Sequence, residues 1–301
     1  MVIMRFGIIG GGSIGLLFAY YLSCKQPVCL YVRTNEQKEL LEKNGLVLSL
    51  AAEEQINKIE VKLFSEWRGA EDATFIAVKQ YQLDNMMGFL KTYSKAEHAL
   101  VFLQNGMGHI KKLDCLAGDI YVAAVEHGAL RTKGNRVCHT GKGVTRIAPY
   151  RQSNPSFLNW LDSEYGSLFP FIIEENYENM LLKKLVANAV INPLTAILRV
   201  KNGEIIDNPH YFQLVLQLFS EVEQSLGLQD GQAYFENVRA VCMKTAENQS
   251  SMLRDLEENR PTEVDAILGY IIEKAEKSEI NTPVIKAFYY AVKGKECSRE
   301  R

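Results

Sequence analysis

The stretch Phe6-Gly7-Ile8-Ile9-Gly10-Gly11-Gly12-Ser13-Ile14-Gly15-Leu16-Leu17 constrains the fold more than any other part of the chain. A short apolar run ends in Gly10-x-Gly12-x-x-Gly15, and an apolar helical pattern follows to about Leu22. Strand, turn and helix in that order suit a dinucleotide. Gly10 allows the tight bend, Gly12 lets the backbone approach a pyrophosphate, and Gly15 lets the helix pack closely on the strand. The free N–H groups and the positive end of the helix dipole then hold the phosphates. Gly10, Gly11, Gly12, Ser13, Ile14 and Gly15 are therefore candidate cofactor contacts. Two other readings compete. Glycine clusters also make ordinary strand–helix turns, and the apolar run from Phe6 to Leu22, flanked by Arg5 and Lys25, could be a membrane anchor or signal peptide. That run holds five glycines, is shorter than the roughly 20 apolar residues of a spanning helix, and precedes no small-residue cleavage site.

After this helix, Val28 to Val32 reads as a second short strand, which makes the opening a βαβ unit. In NAD-binding versions an acidic residue ends this strand and accepts hydrogen bonds from the ribose hydroxyls. Here Arg33 stands in its place. A guanidinium suits a 2′-phosphate through bidentate charge-assisted bonds, so the pattern predicts NADP(H). The alternative is a solvated surface arginine. Glu36 to Lys43 reads as a helix, Leu46 to Leu50 and Ile59 to Phe64 as strands, and Ala73 to Val78 as a buried parallel strand. A helical pattern from Leu83 to Leu90 follows, then a strand from Ala99 to Leu103 and a helical segment from Ile110 to Leu116. Such alternation predicts a Rossmann-like doubly wound sheet whose ligands bind beyond the carboxyl ends of the strands. Gly10, Arg33, Lys79 and Asn105 all fall at such ends. Ile120 to Glu126 is another expected strand. Val137 to His139 and Val144 to Ile147, joined by Thr140-Gly141-Lys142-Gly143, read as a β-hairpin. His127 and His139 read as satisfied strand residues rather than catalytic bases, with a ligand contact the alternative for His127.

At 301 residues, 47% hydrophobic and 23% charged, the chain has apolar material for two cores. The expected division is an α/β domain over residues 1–173 and an all-α domain over 174–301. Before the boundary, 154–161 reads as a short helix and Phe171 to Ile173 as a last strand. Beyond it, helices are expected at about 177–198, 209–226, 231–248, 262–278 and 283–293, with a frayed tail from Lys295 to Arg301. A net charge of −2 gives no electrostatic case for nucleic acid or an acidic membrane surface. Six cysteines lie scattered with no C-x-x-C, which suits reduced, mostly buried thiols, and no metal-ligand motif occurs. A cytoplasmic protein without a metal, binding neither nucleic acid nor membrane, is the expectation.

Lys184, Asn188 and Asn192 are spaced by four and share one helix face. Their neighbours are small or apolar, and half-buried polar groups need partners, whether a ligand or the backbone of an adjoining helix. Which of Lys183 and Lys184 turns inward is open at this level. Glu263 falls in the first turn of a predicted helix, where the dipole favours any carboxylate.

With these pieces in place the chain resembles the ketopantoate reductase (2-dehydropantoate 2-reductase) family. The resemblance rests on Gly10-x-Gly12-x-x-Gly15, Arg33, Val78-Lys79, Gln104-Asn105-Gly106-Met107-Gly108, Lys184-x-x-x-Asn188-x-x-x-Asn192-Pro193-Leu194-Thr195, Asn202-Gly203, Ser250-Ser251-Met252 and Thr262-Glu263-x-Asp265. It implies NADPH-dependent reduction of 2-dehydropantoate to (R)-pantoate, a step toward pantothenate and coenzyme A. By that resemblance Lys184 is the general acid and Glu263 assists it. Asn105, Lys184, Asn188, Asn192, Asn202, Asn248 and Ser251 contact substrate. Gly10 to Gly15, Arg33, Lys79, Asn105 and Ala129 line the cofactor. Reduction of another 2-keto acid, or a non-catalytic NADP(H) sensor, are the competing readings, and a monomer or homodimer is expected.

Overall fold

In a computed structural model, which describes residues 3–50, 53–151 and 155–297, the chain forms two compact units. One comprises residues 1–104 and 109–180; the other comprises residues 105–108 and 181–301. The first unit opens with β1 (Phe6–Ile9), α1 (Ser13–Ser23), β2 (Val28–Val32), α2 (Asn35–Asn44), β3 (Leu46–Leu50), β4 (Glu53–Asn57) and β5 (Glu60–Leu63). It continues with β6 (Ala73–Ile76), α3 (Gln80–Tyr93), β7 (Ala99–Phe102), a 3₁₀ segment (Ile110–Cys115), β8 (Asp119–Val125), β9 (Gly128–Lys133), β10 (Arg136–Gly141), β11 (Thr145–Pro149), α4 (Pro155–Tyr165) and β12 (Phe171–Ile173). Residue 154, the expected start of α4, lies outside the described residues.

The main sheet has the order β12-β11-β8-β7-β6-β1-β2-β5 and is parallel from β5 through β8. From β1 the chain runs outward through β2 to β5 and then returns to β6 on the other side of β1. That reversal is the switch point of a doubly wound sheet, where a crevice opens beyond the strand ends. The glycine turn leaves β1 there, and Val78-Lys79 follows β6.

A second sheet, β4-β3-β10-β9, was not foreseen. The predicted hairpin of Val137–His139 with Val144–Ile147 does not form. The hairpin partner of β10 is β9, joined through Gly134-Asn135, while β11 pairs with β8 and β12 in the main sheet. Lys142 to Val144 instead carries the chain from one sheet to the other. Glu126 N–H donates to the Val144 carbonyl at 2.9 Å, and a Cβ on Gly143 would lie 2.3 Å from the Glu126 carbonyl oxygen. The missed strands, GALRTK and EEQIN, are mostly exposed or half-exposed, so neither shows an apolar alternation to read.

Helix α1 packs against β1 and β2 of the main sheet and β3, β9 and β10 of the second. Every residue from Gly15 to Leu22 is buried as a result. Burial on all sides explains why this helix is apolar all round, the pattern that raised the membrane-anchor reading.

The second unit contains α5 (Tyr177–Leu198, which begins within the first unit), α6 (Glu204–Asp207), α7 (Pro209–Leu226), α8 (Gly231–Lys244), α9 (Ser251–Glu257), a π-helical turn (Asp265–Gly269) running into α10 (Tyr270–Lys277), and α11 (Pro283–Cys297). Pro209 opens α7 just after Asn208, whose side chain accepts the His210 and Tyr211 N–H groups, an arrangement that fixes this boundary to the residue. α5 is apolar and long enough to cross a membrane, with 67% of its apolar window buried. Leu185, Val186, Val190, Ile191 and Leu194 of this helix form the core with Leu218, Val222, Val238 and Ile271. Helix α8 stops earlier than expected, α6 and α9 were unforeseen, and α11 keeps Lys295 to Cys297 helical rather than frayed. The thiols also differ from expectation: Cys29 and Cys242 are buried, whereas Cys24, Cys115 and Cys297 are exposed.

Candidate active site

In the first unit the glycine turn has the shape a pyrophosphate requires. Gly10 adopts φ +118°, and a Cβ there would meet the Ala77 carbonyl oxygen at 2.8 Å. A Cβ on Gly15 would come within 1.7 Å of the Gly10 carbonyl oxygen, so nothing larger than glycine fits. Gly12 differs. It caps α1 with extended backbone, and a Cβ there would meet no described atom within 4 Å. The close contacts are thus packing constraints, whereas the space beside Gly12 is open at the head of a helix with no acidic residue in its first turn. That is a fit for the phosphates of a dinucleotide.

Two side chains hold this turn that sequence reasoning did not single out. Gln37 Nε2 donates to the carbonyls of Gly11 at 2.8 Å and Gly134 at 2.7 Å. Arg131 donates through Nη1 to the Gly11 carbonyl at 3.1 Å, and its backbone N–H donates to Ser13 Oγ at 3.0 Å. Strand β9 and the β9–β10 turn therefore buttress the glycine turn from outside. Arg131 lies on an unforeseen strand, so no sequence signal marked it. Ala129, on the same strand, is half-buried and pairs opposite His139.

Arg33 is exposed just beyond β2, and Lys79 is half-buried at the start of α3. Gln104, itself buried, donates through Nε2 to the carbonyls of Ile76 at 2.8 Å and Val78 at 2.9 Å, which fixes the strand end before Lys79. On α1, Tyr21 OH lies 2.8 Å from His139 Nδ1, and His139 Nε2 lies 3.3 Å from His127 Nδ1. His139 is the buried strand residue expected, while His127 lies in the link between β8 and β9. Burial, reinforced by His139, lowers the His127 pKa to about 4.

In the second unit Lys184, Asn188 and Asn192 lie along one face of α5. Lys183 is exposed, Lys184 and Asn188 are half-buried, and Asn192 is buried, so the lysine in register with the asparagines is the more enclosed one. One turn on, the buried Thr195 hydroxyl lies 2.7 Å from Ser250 Oγ, which accepts the Leu253 N–H and so caps α9. Ser250 is the buried serine of the pair, and Ser251 is exposed. Asn202 N–H donates to the Asn248 carbonyl at 3.0 Å, and Asn202 Nδ2 donates to Thr245 Oγ1 at 2.9 Å. Its Oδ1 is buried without a hydrogen-bond partner among the described residues. A buried acceptor of that kind calls for a donor from a ligand or water.

The loop Asn105–Gly108 belongs to the second unit. Gly106 has φ +79°, and a Cβ there would clash with the Ala266 carbonyl at 2.4 Å, so the loop lies directly on the π-helical turn. This brings Asn105 Nδ2 to 2.7 Å from Glu263 Oε2 across 158 residues of chain. Single π-turns within helices are frequent at functional sites, and this one lies beside the half-buried Glu263 carboxylate.

Comparison with known proteins decides the family. The model described as "Ketopantoate reductase PanE/ApbA" matches residues 6–152, and the one for its C terminal matches residues 176–296. The chain belongs to the ketopantoate reductase family. It is 39% identical to the 2-dehydropantoate 2-reductase of Bacillus subtilis over 295 residues, covering 97% of this chain and 98% of that one. The corresponding enzyme of Listeria innocua is 34% identical, with 97% of each chain covered. Among solved structures, a probable 2-dehydropantoate 2-reductase from Bacillus subtilis superposes with a TM-score of 0.88 at 38% identity, covering 97% of this chain and all of that one. D-mandelate dehydrogenase with NADH and anilino(oxo)acetate reaches 0.90 at 22% identity, with coverage of 99% and 100%, a likeness of fold alone. The expected fold class, a Rossmann-like sheet followed by helices, holds over the described residues, and the family uses NADPH.

Proposed function

We propose that this chain reduces 2-dehydropantoate to (R)-pantoate with NADPH, with Lys184 as the general acid. The observation that carries the reading is the enclosed Lys184–Asn188–Asn192 face, in a unit that also pairs Asn105 with Glu263. Gly10 to Gly15, Arg33, Lys79, Asn105 and Ala129 hold the cofactor, which supplies a hydride to the keto carbon. As the carbonyl is reduced, negative charge develops on its oxygen, and the Lys184 ammonium donates a proton there. Asn105 Nδ2 occupies one lone pair of Glu263 and fixes the carboxylate beside the reacting groups. Asn188, Asn192, Asn202, Asn248 and Ser251 bind the substrate hydroxyl and carboxylate, and the unpartnered Asn202 Oδ1 accepts from a hydroxyl. Arg33 selects NADPH by pairing with its 2′-phosphate.

The reading extends to a soluble cytoplasmic enzyme of pantothenate synthesis that meets only small molecules. It acts as a monomer or a homodimer; the related ketopantoate reductase of Staphylococcus aureus is dimeric. The test is oxidation of NADPH, followed at 340 nm, with ketopantoate beside a panel of other 2-keto acids. A kcat/KM highest for ketopantoate supports the proposal. Preference for another acid by tenfold or more replaces the substrate, and cofactor binding without turnover on any acid replaces the enzyme with a sensor.

A further inference from the structure

Glu263 stands in the short segment between α9 and the π-helical turn. Pro261 donates no backbone hydrogen bond, and the helix that follows begins with a π-turn rather than a regular α-turn. Thr262 is buried, and its hydroxyl accepts the Val264 N–H at 3.2 Å in the manner of an N-cap. That leaves the Thr262 N–H itself in need of an acceptor.

Helix α11 provides one. Glu296 Oε1 accepts the Thr262 N–H at 2.7 Å. Lys293, one turn earlier, places Nζ 3.3 Å from Glu296 Oε2 and 3.0 Å from Asp265 Oδ2. Tyr289, a further turn back, donates its hydroxyl to Asp265 Oδ1 at 2.7 Å. Residues 289, 293 and 296 share one helix face, so a single stripe of α11 grips the chain on both sides of Glu263. The contacts are not equal. Asp265 is 63% exposed, and ion pairs of that kind contribute little, whereas Glu296 is only 18% exposed and binds a buried backbone group. The ammonium of Lys293 is held above the usual lysine range: partial burial works against its charge, and the Asp265 and Glu296 carboxylates outweigh it.

We infer that Glu296, supported by Lys293, is a positioning residue for Glu263: the C-terminal helix sets the place of that carboxylate through the Thr262 backbone. The inference rests on the proposed role of Glu263. Glu296 is bonded to the Thr262 backbone. It acts by keeping Glu263 in register with Asn105, and a misplacement of about 1 Å at a reacting centre costs on the order of 100-fold in rate.

The experiment uses the full chain with saturating NADPH and ketopantoate. Glu296→Ala is expected to lower kcat at least tenfold while KM for NADPH stays within twofold. Glu296→Gln keeps an oxygen that can accept the Thr262 N–H and is expected to recover kcat to within threefold of wild type. Glu263→Ala is measured alongside. An inactive Glu263→Ala beside a fully active Glu296→Ala overturns the inference alone. A fully active Glu263→Ala overturns the role of Glu263 and the inference with it. A Glu296→Ala loss that merely tracks the unfolded fraction, or that Glu296→Gln fails to rescue, marks a structural role and also overturns it. If Glu296→Ala does not fold, Glu296→Asp, which shortens the side chain by one methylene and draws its carboxylate away from the Thr262 N–H, is read in its place, and an unchanged kcat there overturns the inference.

Discussion

Replacing Gly12 with alanine separates what the glycine turn does for the fold from what it does for the ligand. A Cβ at Gly12 meets no described atom within 4 Å, and the residue has φ −81° and ψ −174°, which any L-residue adopts. Alanine is a poorer N-cap than glycine by about 0.5–1 kcal/mol, while the loss of unfolded-state freedom offsets about 0.4–1 kcal/mol. The free protein should therefore keep its stability to within about 1 kcal/mol. The methyl group nevertheless occupies the space through which a pyrophosphate approaches the helix end. At a concentration of 100 times the dissociation constant, NADPH stabilises the wild type by about 2.7 kcal/mol; a 100-fold weaker variant gains only about 0.4 kcal/mol at the same concentration. Thermal melts with and without NADPH read this directly: equal melting temperatures for the free proteins, and a ligand-induced shift almost lost in Gly12→Ala. A destabilised free variant, or an undiminished shift, refutes the assignment of that space to the cofactor.

Other expectations follow from the same geometry. Gly15→Ala drives a Cβ to 1.7 Å from Gly10 O, so it should destabilise the free protein by about 1–3 kcal/mol as an overpacked site, seen in urea unfolding. Arg33→Ala removes charge-assisted bonds worth about 1.5–3 kcal/mol, raising KM for NADPH roughly 10- to 150-fold with KM for NADH little changed; equal losses for both cofactors make Arg33 a surface residue. Burial lowers the pKa of both His98 and His109 to about 4, against 6.5 for the exposed group. The unfolded chain therefore takes up these protons first. Stability is complete above pH 6.5, falls as the pH drops from 6.5 toward 4, and loses on the order of 3 kcal/mol per residue by the lower limit. Urea midpoints at pH 7 and pH 5 test this, and equal midpoints refute it. Thr195→Val deletes a buried hydroxyl that meets Ser250 Oγ and should cost about 1 kcal/mol.

What the sequence disclosed, and what it withheld, follows the physics of each element. β1, β2, β6 and β7 are short apolar runs buried on both faces, and the signal in such strands is composition itself. The start of helix α7 was legible from Pro209, which a first turn tolerates, while the Asn208 cap showed only in the structure. β4 and β9 gave no warning because their side chains are exposed or half-exposed, and a strand defined by its partners leaves little trace in its own residues. The same limit applies at the site. The spacing of Lys184, Asn188 and Asn192 is local and visible. The Asn105–Glu263 contact, the Gln37 and Arg131 bonds to Gly11, and the Glu296 bond to Thr262 join distant stretches, and only the folded chain brings them together. Glu263 was legible by resemblance, while from its own surroundings it was only an acid at a helix start.

The most direct test of the proposed chemistry is the turnover of ketopantoate by wild type and Lys184→Ala, measured as NADPH oxidation at saturating cofactor. Loss of an ammonium that stabilises charge at the reacting oxygen should lower kcat by about 10²–10⁴-fold, while NADPH still shifts the melting temperature of the variant. A Lys184→Ala protein that reduces ketopantoate as fast as wild type would contradict the account.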